Sequence, residues 1–97
     1  MVLSVQQIAA SADTAAQGEA LYAALAKALK SNETVTVSFA DLQTATSSFV
    51  NLALVPLLTS MSLDEIKRRI KIVQSTRQIN EMVKLRLERE ARNSHAA

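Results

Sequence analysis

The stretch that decides the fold is Val35-Thr-Val-Ser-Phe-Ala-Asp-Leu-Gln-Thr-Ala-Thr-Ser-Ser-Phe-Val-Asn-Leu-Ala-Leu54. Val35, Val37 and Phe39 alternate with Thr34, Thr36, Ser38 and Ala40, the two-residue period of a half-buried strand. After a short polar turn the chain becomes densely apolar at Phe49, Val50, Leu52, Ala53 and Leu54, as a buried helix requires. Four hydroxyls, on Thr44, Thr46, Ser47 and Ser48, stand at this strand-to-helix junction. A helix N-terminus carries unpaired N–H groups and the positive end of the macrodipole. Hydroxyls placed there cap the helix, line an anion site or accept a phosphoryl group.

Upstream, Val2 to Ile8 reads as a first strand, carried by Val2, Leu3, Val5 and Ile8. Thr14 and Gln17 have capping-box spacing and open a helix to about Leu29. Its apolar stripe is Leu21, Ala24, Leu25, Ala28 and Leu29, and Ser31-Asn32 ends it. Gly18, within that helix, either weakens it or admits another element at close range. The second strand covers Thr34 to Ala40. The helix after the junction runs from Thr46 or Ser47 to about Ser60. Pro56 predicts a kink or break there, because it removes a hydrogen bond and crowds the carbonyl of Leu52.

Downstream, Ser62 and Glu65 form a second capping-box pattern and predict a short helical turn through Lys67. Arg69 to Gln74 is the third strand, with Ile70 and Ile72 alternating against Arg69 and Lys71. Ser75 with Gln78 repeats the capping-box spacing. The last helix runs from about Thr76 to Ala91, with Ile79, Met82, Val83 and Leu87 inward, and Asn93 to Ala97 is expected to be a frayed tail.

The order is βαβαβα within one domain, residues 1–97. It predicts an α/β fold with a mainly parallel sheet of three to four strands joined by right-handed crossovers. Val35, Val37, Phe39, Ile70 and Ile72 share one face, and Thr34, Thr36, Ser38, Arg69 and Lys71 the other. A sheet covered on both sides is apolar on both. Helices are therefore expected mostly on one face, leaving a polar face and edge strands open to a partner.

Composition removes several function classes. There is no cysteine, which excludes disulfides, thiol catalysis and cysteine metal sites. Gly18 is the only glycine, so there is no glycine-rich phosphate loop. His95 is the only histidine, which leaves no Ser/His/acid set and no histidine metal cluster. No enzyme activity, cofactor or metal is expected. The aromatics are Tyr22, Phe39 and Phe49 alone, too few for base stacking on single strands. The first residues lack the basic flank of a signal peptide, and the apolar run Leu52 to Leu58 is too short to span a bilayer. A cytoplasmic protein without membrane attachment is expected.

Charge is uneven. Residues 1–60 carry a net of −2, and residues 61–97 hold nine basic and five acidic residues, a net of +4. The densest basic cluster is Lys67, Arg68, Arg69 and Lys71. Interspersed Glu81, Glu88 and Glu90, with Glu88 four residues from Lys84 and from Arg92, describe an ion-paired helix surface. A polyanion site on this face is the competing reading.

The segment Val35 to Leu54 resembles the central signature of STAS domains, the fold of bacterial anti-sigma-factor antagonists. There a strand leads to an Asp-Ser-Ser-Gly turn that opens a helix; here the turn reads Thr46-Ser47-Ser48-Phe49. The closer resemblance is to the STAS-like family of small bacterial proteins. It extends from the first helix through Ser47-Ser48-Phe49 and Asn51, then Ile66-Lys-Arg-Arg-Ile70, to the final helix. In the antagonists the second serine of the turn is phosphorylated by a GHKL-type serine kinase, and that position matches Ser48. The resemblance implies a signalling domain that docks on a GHKL-type ATPase/kinase or a sigma-factor regulator. The chain departs from the antagonist pattern at Thr46, which removes a fixed charge, and at Phe49, whose bulk stands where the antagonists have glycine.

The expectation is thus a non-enzymatic regulatory interaction domain. Asp41, Thr44, Thr46, Ser47, Ser48 and Asn51 are its candidate partner-binding residues, and Ser48, then Ser47, its candidate phosphoacceptors. Asp41 alternatively serves an Asx-type turn, and the serines alternatively serve as helix caps. The other readings are a nucleic-acid-binding accessory protein using the basic C-terminal face, and a structural module that forms homodimers through a sheet edge.

Overall fold

In the computed structural model the three strands, β1 (Val2–Ser4), β2 (Val35–Ser38) and β3 (Ile70–Val73), run parallel in the order β1-β2-β3. The structure describes residues 1–96, with side chains as far as Arg92. Sheet order equals chain order, as a sheet growing in one direction demands. The alternation of β2 and β3 decides which face is covered. Val35, Val37 and Ile70 are buried and Ile72 is half-buried, whereas Lys71 is exposed and Thr36 half-exposed. Register places Val2, Thr36 and Lys71 in one row of the open face, and Ser4, Ser38 and Val73 in the next. Ser38 is the buried polar residue of that face, because Gln74 folds over it and accepts a hydrogen bond from its Oγ at 3.1 Å.

The first strand is shorter than the sequence suggests. It ends at Ser4, whose Oγ accepts a hydrogen bond from the Gln7 N–H at 3.3 Å and caps helix α1 (Val5–Ala9). A local side-chain cap therefore overrides the β-branched pattern of Val5 and Ile8. Thr14 and Gln17 form the expected reciprocal capping box of α2 (Ala15–Ser31). Pro56 breaks the next helix as predicted: α3 (Ser47–Ala53) is followed by a 3-10 turn, Val55–Thr59, with Pro56 in its first turn, where a missing N–H costs no hydrogen bond. Ser62 caps α4 (Leu63–Arg69) by accepting from the Glu65 N–H at 3.1 Å. This helix runs past the expected Lys67 and takes in Arg69, so β3 begins only at Ile70.

Helix α5 (Arg77–Ala96) is capped by Thr76, whose Oγ1 accepts from the Ile79 N–H at 3.2 Å, and not by Ser75. Ser75 donates instead to the Asn80 Oδ1 at 2.7 Å, and Gln78 is drawn away to the loop after β2. The α5 backbone extends through Ala96; the side chains from Asn93 onward, including His95, and all of Ala97 lie outside the described residues, and so does the expected fraying of 93–97. The core joins the packed sheet face to the helices. Phe39 and Phe49 meet edge to face, with ring centroids 6.4 Å apart, among Leu21, Leu25, Leu54 and Ile79. Among the described residues no single helix is long and apolar enough to cross a membrane.

Candidate functional site: the strand-to-helix junction

The segments that follow the three parallel strands gather at the carboxyl end of the sheet, where open α/β folds place their binding surfaces. The loop after β2 is held from both sides. On one side the Thr46 N–H donates to the Ala12 carbonyl at 3.0 Å, and the Thr46 Oγ1 donates to the Asp13 carbonyl at 2.7 Å. On the other, Gln78 accepts from the Ala45 N–H at 2.9 Å and donates to the Ala45 carbonyl at 3.0 Å, while Thr76 Oγ1 donates to the Gln43 carbonyl at 2.7 Å. Three residues of positive φ lie in these segments: Ala10 at 70°, which ends α1, Asp41 at 69° after β2, and Gln74 at 51° after β3.

On this fixed backbone Thr46 is the cap of α3, accepting from the Phe49 N–H at 3.2 Å. Ser47 and Ser48 follow in the first turn. Both are exposed, and among the described residues neither hydroxyl makes a hydrogen bond. The capping role is thus filled by Thr46, and the serines are not engaged in it. Phe49 is fully buried and points into the core, so its bulk does not cover Ser48. Thr44 is exposed beside them, and Asp41 is exposed on its left-handed backbone. Asn51 turns the other way: its Oδ1 accepts from the Arg86 Nε at 2.7 Å, and Arg86 pairs with Glu90 at 2.9 Å, so Asn51 ties α3 to α5.

Thr46→Ala should lower stability by about 1–2 kcal/mol, through loss of the cap and of the bond to Asp13. Ser47→Ala and Ser48→Ala should stay within about 0.5 kcal/mol of the parent, as exposed changes do. Urea denaturation of the three variants separates these outcomes. A large loss in either serine variant would return the serines to a structural role.

The basic cluster is divided by the fold. Arg69 points inward, with its Nη2 donating to the carbonyls of Leu29 at 2.8 Å and Asn32 at 3.1 Å, and its Nε to that of Glu33 at 3.0 Å. Glu65 stands 3.7 Å away. Lys67 lies 3.9 Å from Glu88, while Arg68 and Lys71 are exposed. Within α5 the ion pairs among the described residues are Arg77–Glu81 and Arg86–Glu90, and Glu88 pairs with Lys67 rather than with Lys84 or Arg92. Gln78 and Thr76 are the positioning residues that local spacing misassigns. Their partners lie 33 residues away, beyond any local pattern.

A family model described as a STAS-like domain of unknown function (DUF4325) matches residues 17–80. This chain belongs to the STAS-like domain family. The matched span begins in the first turn of α2, contains β2, the junction and β3, and ends in the first turn of α5. Strand β1, which completes the sheet of this STAS-like domain, lies before it. No curated protein and no solved structure matches the chain.

Proposed function

We propose that this STAS-like domain is a non-catalytic regulatory module that docks on a protein partner through the 44–51 junction, and that phosphorylation of Ser48 switches the contact. The observation that supports this is the division of labour at α3: Thr46 holds the helix start, while the exposed hydroxyls of Ser47 and Ser48 are left unengaged on a clamped backbone. A phosphate on Ser48 adds about −1.5 to −2 charges at neutral pH. Placed at the first turn of a helix it leaves the fold intact and changes the surface offered to the partner. The partner class suggested by the resemblance is a GHKL-type ATPase/kinase or a sigma-factor regulator. The exposed Asp41, Thr44 and Ser47 are the further contact residues of this reading. Asn51, bonded to Arg86, holds α3 against α5 behind this surface.

The nucleic-acid reading draws less support, because Arg69 and Arg86 are committed to internal hydrogen bonds. The decisive comparison is between the parent, Ser48→Asp and Ser48→Ala in titrations against an ATPase partner captured by the parent chain. Ser48→Asp should change the affinity by about tenfold or more, which corresponds to about 1.4 kcal/mol, with Ser48→Ala matching the unphosphorylated parent. Equal affinities for all three would refute the switch.

A further inference from the structure

A second surface, sharing no residue with the junction, lies at the far side of the sheet. Strand β3 is an edge: among the described residues no strand lies beyond it. Successive residues of a parallel strand turn their backbone groups to opposite neighbours. The Val73 carbonyl accepts from the Phe39 N–H at 3.1 Å, on the β2 side, so the N–H and C=O of Ile72 face outward. Beneath this edge, between α4 and α5, runs an apolar groove of about 250 Å³ walled by Leu63, Ile66, Ile70, Ile72, Val83 and Leu87. Lys67 and Lys84 line it, and Glu88 lies 3.9 Å from Lys67, so that Lys84 is its unpaired charge among the described residues; Lys71 stands on the edge strand itself, in the row of the open face across the sheet from the groove. Lys71 and Lys84 are exposed and form no ion pair among the described residues.

We infer that this edge and groove take an extended peptide whose apolar core is flanked by acidic residues. The peptide adds a strand to β3 through the backbone of Ile72, places an apolar side chain in the groove, and sets its carboxylates against Lys71 and Lys84. Charge selects this occupant over a second copy of the chain, which would bring the exposed Lys71 and Lys84 of one copy towards those of the other.

The test uses the full chain and a fluorescent synthetic peptide with an alternating leucine–valine core between glutamate pairs. A lysine-flanked version and a version with proline at the core centre serve as comparisons. The glutamate peptide should bind saturably, the lysine peptide about tenfold more weakly, and the proline peptide not measurably. Amide shifts in NMR titration should fall on Ile70 to Val73, Ile66, Val83 and Leu87. Lys71→Glu combined with Lys84→Glu should invert the preference between the charged peptides while the thermal midpoint stays near that of the parent. Absence of saturable binding, equal affinity for both charged peptides, or shifts confined to 41–51 would overturn the inference. So would concentration-dependent dimerisation that shifts the same β3 amides, which would assign the edge to a second copy. Only shifts at 41–51 would touch the junction; the other results do not bear on Ser48, so this surface and the junction are tested separately.

Discussion

Gly18→Ala is expected to destabilise the domain by about 2 kcal/mol, although helix propensity alone favours alanine by about 1 kcal/mol. Gly18 is buried on the face of α2 that packs on α3. A Cβ at this position would collide with the carbonyl oxygen of Phe49, and would lie 3.0 Å from the Leu52 Cβ and 3.2 Å from the Ala53 nitrogen. Two of these three neighbours are backbone atoms of α3, which cannot rotate away as a side chain tip can. Accommodation means moving α3, and α3 begins at the clamped junction. The thermal midpoint should fall by about 8–16 °C for a domain of this size, and the partner binding proposed for the junction should weaken with it. A midpoint unchanged or raised would mean that the two helices separate freely, and that Gly18 is only a weak helix residue.

Arg69→Ala is expected to cost about 3 kcal/mol, more than any exposed cation of the same cluster. The last carbonyls of a helix have no partner within it. At the end of α2 the guanidinium supplies one, bonding the carbonyls of Leu29, Asn32 and Glu33 together. Hydrogen bonds to a charged donor contribute about 1.5–3 kcal/mol each, and bonds to one group do not add fully. The Arg69 side chain is only 18% exposed, so solvent replaces it poorly. Arg69→Lys should recover less than half of the loss, because one ammonium does not reproduce the planar fork. Arg68→Ala, at an exposed position, should stay within about 0.5 kcal/mol. Urea denaturation midpoints at unchanged slope provide the comparison. Equal small losses at Arg68 and Arg69 would contradict the internal role of Arg69.

These two residues mark the boundary of what local pattern reveals. Gly18 stood out in the sequence as the only glycine, with close approach as one of its two readings; which element approaches depends on how α2 crosses α3. Arg69 looked like one of four surface cations, because nothing within a few residues of it indicates that the end of α2, about forty positions earlier, needs donors. The junction divides in the same way. The hydroxyl cluster and the strand-to-helix switch were legible, since both follow from residue type and period. That Thr46 would cap, leaving Ser47 and Ser48 exposed, was not, since all three are good caps by type.

What the sequence by itself determined is the α/β class, the parallel sheet with one covered face, the break at Pro56 and the family. Each of these rests on periodicity, backbone chemistry or a contiguous motif, and such signals act between near neighbours. What only the tertiary structure decided is the early end of β1, the exchange of Ser75 for Thr76 as the cap of α5, and the separation of Arg69 from Lys67, Arg68 and Lys71. It also decided the coupling of Gln78 to Ala45 and the groove beside β3. These depend on which distant donors and acceptors the packed core brings within about 3 Å of one another, a distance at which a hydrogen bond forms and local preference is overridden.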